Sequence, residues 1–150
     1  MIILSKLADY GVIVASYLAA DPERQMTAAA LATEARLPRA TVAKVLKALA
    51  HGGVVAGARG AAGGYRLARP ATEISVAEVV AAIDGAIGLT QCTSHTPSCE
   101  RSDFCPTRTP WQRINHAVSA ALGAVSLAEM VPPPGSALRQ PAALRETLSP

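Results

Sequence analysis

Cys92, Cys99 and Cys105 are the only cysteines of the chain, and all three fall in one window, CTSHTPSCERSDFC, with the spacing C-x6-C-x5-C. Three soft donors on one unpatterned loop suit an iron–sulfur cluster or zinc, because both bind thiolate strongly. Three thiolates leave one position of a four-coordinate site to be filled from elsewhere. His95 offers a local solution. Cys92-x2-His95-x3-Cys99-x5-Cys105 is a Cys3His set acceptable for tetrahedral zinc, although it lacks the short paired CxxC of most structural zinc modules. Metal-free thiols acting as a redox switch are a third reading. The residue types alone leave all three open.

An odd number of thiols argues against a closed disulfide framework and for a reducing compartment, so we expect a cytoplasmic protein. Asp9 interrupts the N-terminal apolar run with no basic stretch before it, which is not the pattern of a signal peptide. The longest apolar stretch, residues 11–20, is too short to cross a bilayer, and no membrane partner is expected. Half of the 150 residues are hydrophobic but only 3% are aromatic. Alanine, valine and leucine must therefore fill the core, which favours thin, closely packed helices.

Charge is unevenly spread. Residues 1–69 carry a net +5 and residues 70–150 a net −2. Residues 35–72 contain seven basic side chains and no acidic one. Such a patch attracts polyanions, and releasing counterions from DNA would drive its binding.

The elements around that patch give it a shape. Leu4, Leu7, Tyr10, Gly11, Val14, Tyr17 and Leu18 recur at helical spacing, predicting a first helix that ends before Asp21-Pro22. Thr27 suits the N-cap of a short helix over residues 28–35, and Pro38 suits the first position of the next. In that next helix, residues 38–51, Val42, Val45, Leu46 and Leu49 form one stripe, and Gly52-Gly53 stops it. Two short helices joined by a tight turn make a helix-turn-helix. Short β-like runs at residues 54–56 and 65–67 flank GARGAAGG, a glycine-rich connection that holds Arg59. This predicts a two-stranded wing presenting an arginine. Arg39 stands in the first turn of the second short helix, best placed for base edges, with Thr41 on its flank. Lys44 and Lys47 face away from the apolar stripe toward phosphates, and Arg59 suits a narrow minor groove.

Ser75-x-x-Glu78 is a capping box opening a helix that carries Val76, Val79, Val80 and Ile83 and closes at Gly85. After the cysteine window, Thr109-Pro110-Trp111-Gln112 reads as a second capping box with proline at the first helical position. Trp111, Ile114, Val118, Ala121, Leu122 and Val125 then form a long stripe, to be buried by the same helix of a second chain or by the chain's own first helix. Ser126-x-x-Glu129 caps one last turn. The fold class expected is mainly α: a winged helix-turn-helix with a two-stranded β wing, a cysteine-bearing loop and a long dimerisation helix. Residues 1–70 form the DNA-binding region, 71–131 the cysteine loop and dimerisation helix, and the proline-rich residues 132–150 a disordered tail. An enzyme is not expected. The sequence offers no nucleophile–base pair and no phosphate loop, and His51, His95 and His116 are scattered.

LSKLADYG at residues 4–11, the helix-turn-helix, VVAGARGAAGGYRLAR at 54–69, ISVAEVVAAIDG at 74–85, the cysteine window and SLAEM at 126–130 together resemble the Rrf-two family of winged-helix regulators. The resemblance covers about residues 2–131 in the family's order. It implies a homodimer crossing over through the long helix and binding a pseudo-palindromic double-stranded DNA operator. It also implies an iron–sulfur cluster, 2Fe–2S or 4Fe–4S, held by Cys92, Cys99 and Cys105, whose state changes DNA affinity. The opening LSKLADYG is most similar to members that regulate the SUF system of cluster assembly. One departure matters: where the IscR-like branch places a ligating histidine three positions after the last cysteine, this chain has Arg108. Other branches take an acidic ligand from the partner's N-terminal helix, and Asp9 matches that position. The alternatives are a zinc-stabilised winged-helix repressor that senses nothing, a nitric oxide- or iron-responsive member of the family, and a module whose basic face meets an acidic protein.

Overall fold

The computed structural model describes residues 3–61, 63–93, 99–101 and 103–131. Helix α1 (Lys6–Ala20) runs through the centre. Ser5 caps it, its Oγ accepting the Ala8 N–H at 3.0 Å while donating to Asp84 Oδ1 at 2.7 Å. Its covered face is broad and made of small residues, with Ala8, Gly11, Val14 and Ala15 among them. Gly11 permits the closest approach: a Cβ there would collide with Ile83 Cδ1.

Helix α2 (Ala28–Glu34) starts on Thr27, whose Oγ1 accepts the Ala30 N–H at 3.1 Å. The turn that follows bends through Arg36 in the left-handed region, φ 53°, and returns the Leu37 N–H to the Ala32 carbonyl at 3.0 Å. A non-glycine residue pays about 1–2 kcal/mol for that conformation, so the buried helices on either side must hold it. Helix α3 (Arg39–His51) begins one residue later than expected. Pro38 is extended (ψ 135°) and serves as the N-cap, its carbonyl accepting the Val42 N–H at 3.0 Å. The stripe Val42, Val45, Leu46 and Leu49 is fully buried, as its spacing required.

Strands β1 (Val55–Ala58) and β2 (Gly64–Leu67) form an antiparallel ribbon with Val55 opposite Leu67 and Ala58 opposite Gly64. The first strand starts one residue beyond the expected run because the Val54 N–H bonds back to the Leu49 carbonyl at 2.9 Å. A further contact has no counterpart in the sequence reading. Met26 and Tyr65 exchange two backbone hydrogen bonds, 3.0 and 2.8 Å, and so fasten the ribbon to the α1–α2 connection.

Helix α4 (Val76–Asp84) opens on the expected capping box. The Ser75 N–H first, and the Arg69 guanidinium second, hold the Glu78 carboxyl below the usual range against a small opposing effect of burial. Helix α5 (Arg108–Gly123) starts ahead of the box expected at Thr109. Thr107 precedes it, and Pro110 falls at the third helical position, where no intrahelical acceptor exists for its missing N–H. α5 rests on α4, and among the described residues none of its side chains is fully buried. Trp111 is 38% and Ile114 46% exposed, whereas Leu122 and Val125 reach the core. The chain then doubles back: the Val76 N–H bonds to the Val125 carbonyl at 2.9 Å and the Leu127 N–H to the Ile74 carbonyl at 2.7 Å. Leu127 is fully buried at the start of a 3₁₀ turn (Leu127–Met130) that rests on α1. One core cluster therefore includes Ile74, Val76, Val79, Val80 and Leu127 together with the residues of α1 to α3.

Gly64 lies against the Met26 backbone, where an added Cβ would stand 3.0 Å from both C and O. Gly64→Ala is expected to cost about 1–2 kcal/mol in urea denaturation by straining the two bonds that fasten the wing. Gly123→Ala, with open space around it, should be neutral or stabilising by up to ~1 kcal/mol.

Candidate functional site

The cysteine loop joins α4 to α5, and its two ends are better fixed than a loop of this composition requires. At the leading end Thr90 and Thr93 close a turn: the Thr93 N–H bonds to the Thr90 carbonyl at 3.0 Å, and the Thr90 N–H bonds to Thr93 Oγ1 at 3.1 Å. Thr90 Oγ1 lies 3.2 Å from Cys92 Sγ. At the trailing end Cys105 Sγ lies 3.3 Å from Thr107 Oγ1, and the Cys105 carbonyl accepts the Arg108 N–H at 3.3 Å as α5 begins. The Thr107 hydroxyl first, then the backbone N–H groups of Thr107 and Arg108 and the charge of Arg101, hold the Cys105 thiol below its ordinary range. The thiolate of Cys105 is thus easier to reach than that of an unsupported cysteine.

All three thiols are free and partly exposed. Among the described residues, no three His, Cys, Asp or Glu side chains are gathered closely enough to hold a metal ion, so the single chain does not bring Cys92, Cys99 and Cys105 together with one another or with Asp9. Asp9 is exposed on the first turn of α1, where Ser5 already serves as the cap. His95 lies outside the described residues. The three cysteines are donors of the type a thiolate-bound metal or cluster takes, one short of a four-coordinate set.

The second surface is basic. Lys44 and Lys47 are exposed on the face of α3 opposite its buried stripe, Arg39 is exposed in its first turn, and Thr41 is half-buried on the flank. Arg59 is exposed on the connection between β1 and β2. Two glycines shape that connection. Gly60 takes φ 111°, and a Cβ on Gly63 would collide with the Ala58 carbonyl oxygen, so the ribbon turns tightly and carries Arg59 at its tip. Arg59, Gly60 and Gly63 line an open groove shared with Thr27 and Ala28 at the start of α2. Thr90, Thr93 and Thr107 were not singled out by the sequence reading. The spacings Thr90-x-Cys92 and Cys105-x-Thr107, a hydroxyl two residues from a thiol at each end, were the available signal.

The fold is that of a winged helix-turn-helix protein with a thiol-bearing loop between α4 and α5. Residues 4–133 match the Rrf2 family, described as an iron-dependent transcriptional regulator, and the chain belongs to that family. It is 37% identical over 83 residues to the HTH-type transcriptional regulator IscR of Serratia proteamaculans (strain 568), covering 55% of this chain and 50% of that protein. The IscR of Xenorhabdus nematophila matches to the same extent. The chain thus spans about half the length of the curated relatives it matches. Among solved structures, CymR, the global cysteine regulator of B. subtilis, superposes with a TM-score of 0.68 at 24% identity over 87% of this chain and 96% of its own. T. potens IscR gives 0.66 at 24% identity, covering 86% of this chain and 85% of its own. At that identity the likeness establishes the fold. No helix among the described residues is long and apolar enough to cross a membrane.

Replacing Thr107 by valine removes the hydroxyl but no capping bond, since its side chain makes none. The midpoint of the pH profile for iodoacetamide alkylation of Cys105 is expected to move up, slowing the reaction at neutral pH. An unchanged midpoint would mean that the hydroxyl does not support the thiolate.

Proposed function

We propose that this chain is a homodimeric, operator-binding regulator whose DNA affinity is set by an iron–sulfur cluster on Cys92, Cys99 and Cys105, and that it controls SUF cluster-assembly genes. The observation that carries the reading is the position of the thiols. The only cysteines of the chain lie on the connection between α4, which packs on the DNA-facing α3, and α5, whose apolar side is partly uncovered. A change in the loop is therefore one helix away from the DNA and directly attached to the candidate dimer helix.

In this reading Arg39 reads a base edge, Thr41 supports it, Lys44 and Lys47 neutralise phosphates, and Arg59 enters the minor groove. Trp111 and Ile114 pack against a second copy of α5, which explains why the N-terminal half of that helix is left exposed. A bound cluster would supply redox chemistry and a sensitivity to oxidants that the side chains alone lack. The chain's own residues supply three thiolates, with Asp9 of the partner subunit as the fourth donor in place of the histidine that Arg108 replaces. Regulating assembly genes follows from negative feedback, since a protein carrying a cluster reports cluster supply. The similarity of the opening LSKLADYG to SUF regulators supports that target, and a regulator of this kind works in the cytoplasm.

Two measurements test this. Lys44→Ala and Lys47→Ala are each expected to weaken operator binding at all sequences alike and to reduce the slope of log K against log salt by about 1. A slope equal to wild type in both would remove them from the phosphate contacts. Anaerobic purification should give near-matched iron and sulfide, lost in Cys92→Ala, Cys99→Ala or Cys105→Ala with the fold retained, because none of these thiols belongs to the core. Operator affinity should change on cluster loss by about tenfold or more, a coupling of ~1.4 kcal/mol. Stoichiometric zinc with no iron even after reconstitution, or equal affinity of apo and cluster-bound protein, would overturn the sensing reading.

A further inference from the structure

We propose that Asn115 is a positioning residue for the cysteine loop: its carboxamide fastens the loop's leading end to α5, so that Cys92 and Cys105 are both held to the same helix. Its Oδ1 accepts the Leu89 N–H at 3.0 Å, and its Nδ2 donates to the Ile87 carbonyl at 2.9 Å. Both partners are backbone groups, 26 and 28 residues earlier in the chain, and both bonds are partly buried. A carboxamide presents one acceptor and one donor side by side, which matches the N–H and C=O of two residues on one course of chain. Aspartate would keep only the acceptor, and leucine would keep neither.

The consequence follows along the chain. Leu89 is fixed to α5, Thr90 and Thr93 form the turn immediately after it, and Thr90 Oγ1 touches Cys92 Sγ. Cys105 is fastened where α5 starts, through the bond from the Arg108 N–H. Arg108 and Asn115 are seven positions apart, a rise of about 10 Å along a helix. The outer two thiols are therefore referred to two points of one rigid element, and Cys99 is the thiol whose approach completes the set. A shift of α5 at the dimer interface would be transmitted to the spacing of Cys92 and Cys105, and the reverse. The role in holding a cluster rests on the function proposed above; the fastening of the loop does not.

The test uses the full chain with Asn115→Leu and Asn115→Asp. In metal-free protein, hydrogen–deuterium exchange across residues 89–93 should rise on the order of tenfold in the leucine variant and less in the aspartate variant, which retains an acceptor for Leu89. Amides of α1 and α3 should exchange as in wild type. After anaerobic reconstitution, the leucine variant should lose its visible absorption in air several-fold faster than wild type. Unchanged exchange at residues 89–93, or exchange raised equally throughout the chain, would overturn the proposal. So would a local rise in exchange with an unchanged cluster lifetime. If wild type takes up no iron or sulfide, the sensing function fails, and the fastening is then decided by the exchange data alone.

Discussion

The backbone pairing of residues 74–76 with residues 125–127 is the constraint on which the rest of the architecture depends. Two hydrogen bonds, Val76 to Val125 and Leu127 to Ile74, close the chain on itself, and Ile74 and Leu127 disappear into the core beside them. Each bond contributes about 1 kcal/mol net and each buried side chain about 1.5–3 kcal/mol. Capping boxes of the same kind, Ser75 with Glu78 and Ser126 with Glu129, satisfy the backbone on both sides of the pairing. Without it α5 would be joined to the rest of the fold only through the cysteine loop and its packing on α4 and the core. With it, the C-terminal end of α5 is anchored in the same core that supports α3.

That anchoring makes α4 the intermediary. It packs on α1 through Gly11 against Ile83, and on the end of α3 through Gly52 against Ala82. Contacts between glycine and a small or tightly placed neighbour leave little room for side chains to absorb a displacement. A rotation of α4 relative to α5 would consequently be passed to α3 with little loss. In the proposed dimer, operator half-sites on adjacent turns would lie about 34 Å apart, so a small angular change at its centre would become a large displacement at the recognition helices.

The sequence was most legible where one residue type has one physical use. The stripe from Val42 to Leu49, the glycines that end α3 and α4, and both capping boxes on serine could be read directly, because period and cap chemistry determine them. Boundaries set by tertiary contact were not. Val54 leaves the strand because Leu49 takes its N–H, and α5 starts at Arg108 because Cys105 supplies an acceptor there. The Met26–Tyr65 pairing joins residues far apart in sequence with no periodic signal between them. At the candidate site the thiols were evident from composition, whereas their supports were not. Thr107 stands at the start of α5 with its hydroxyl on a thiol two residues back, and Asn115 serves backbone groups 26 and 28 residues away.

Those supports bear on what it would take for three cysteines so widely spaced to form one site. Bringing residues 92, 99 and 105 to a common point requires the intervening chain to take a single course, and fixing each residue costs about 1–2 kcal/mol in conformational entropy. Metal–thiolate bonds must offset that cost. A site that had to order the whole connection from Gly85 to Arg108 would need a very strong ligand and would release it reluctantly. Here residues 87–93 and 105–108 are ordered by the chain's own hydrogen bonds, which lowers that cost. A site ordered at its ends would close at a smaller entropic cost and so would lie nearer balance between open and closed. Near balance, a change of one ligand, or of one oxidation state, can move the population.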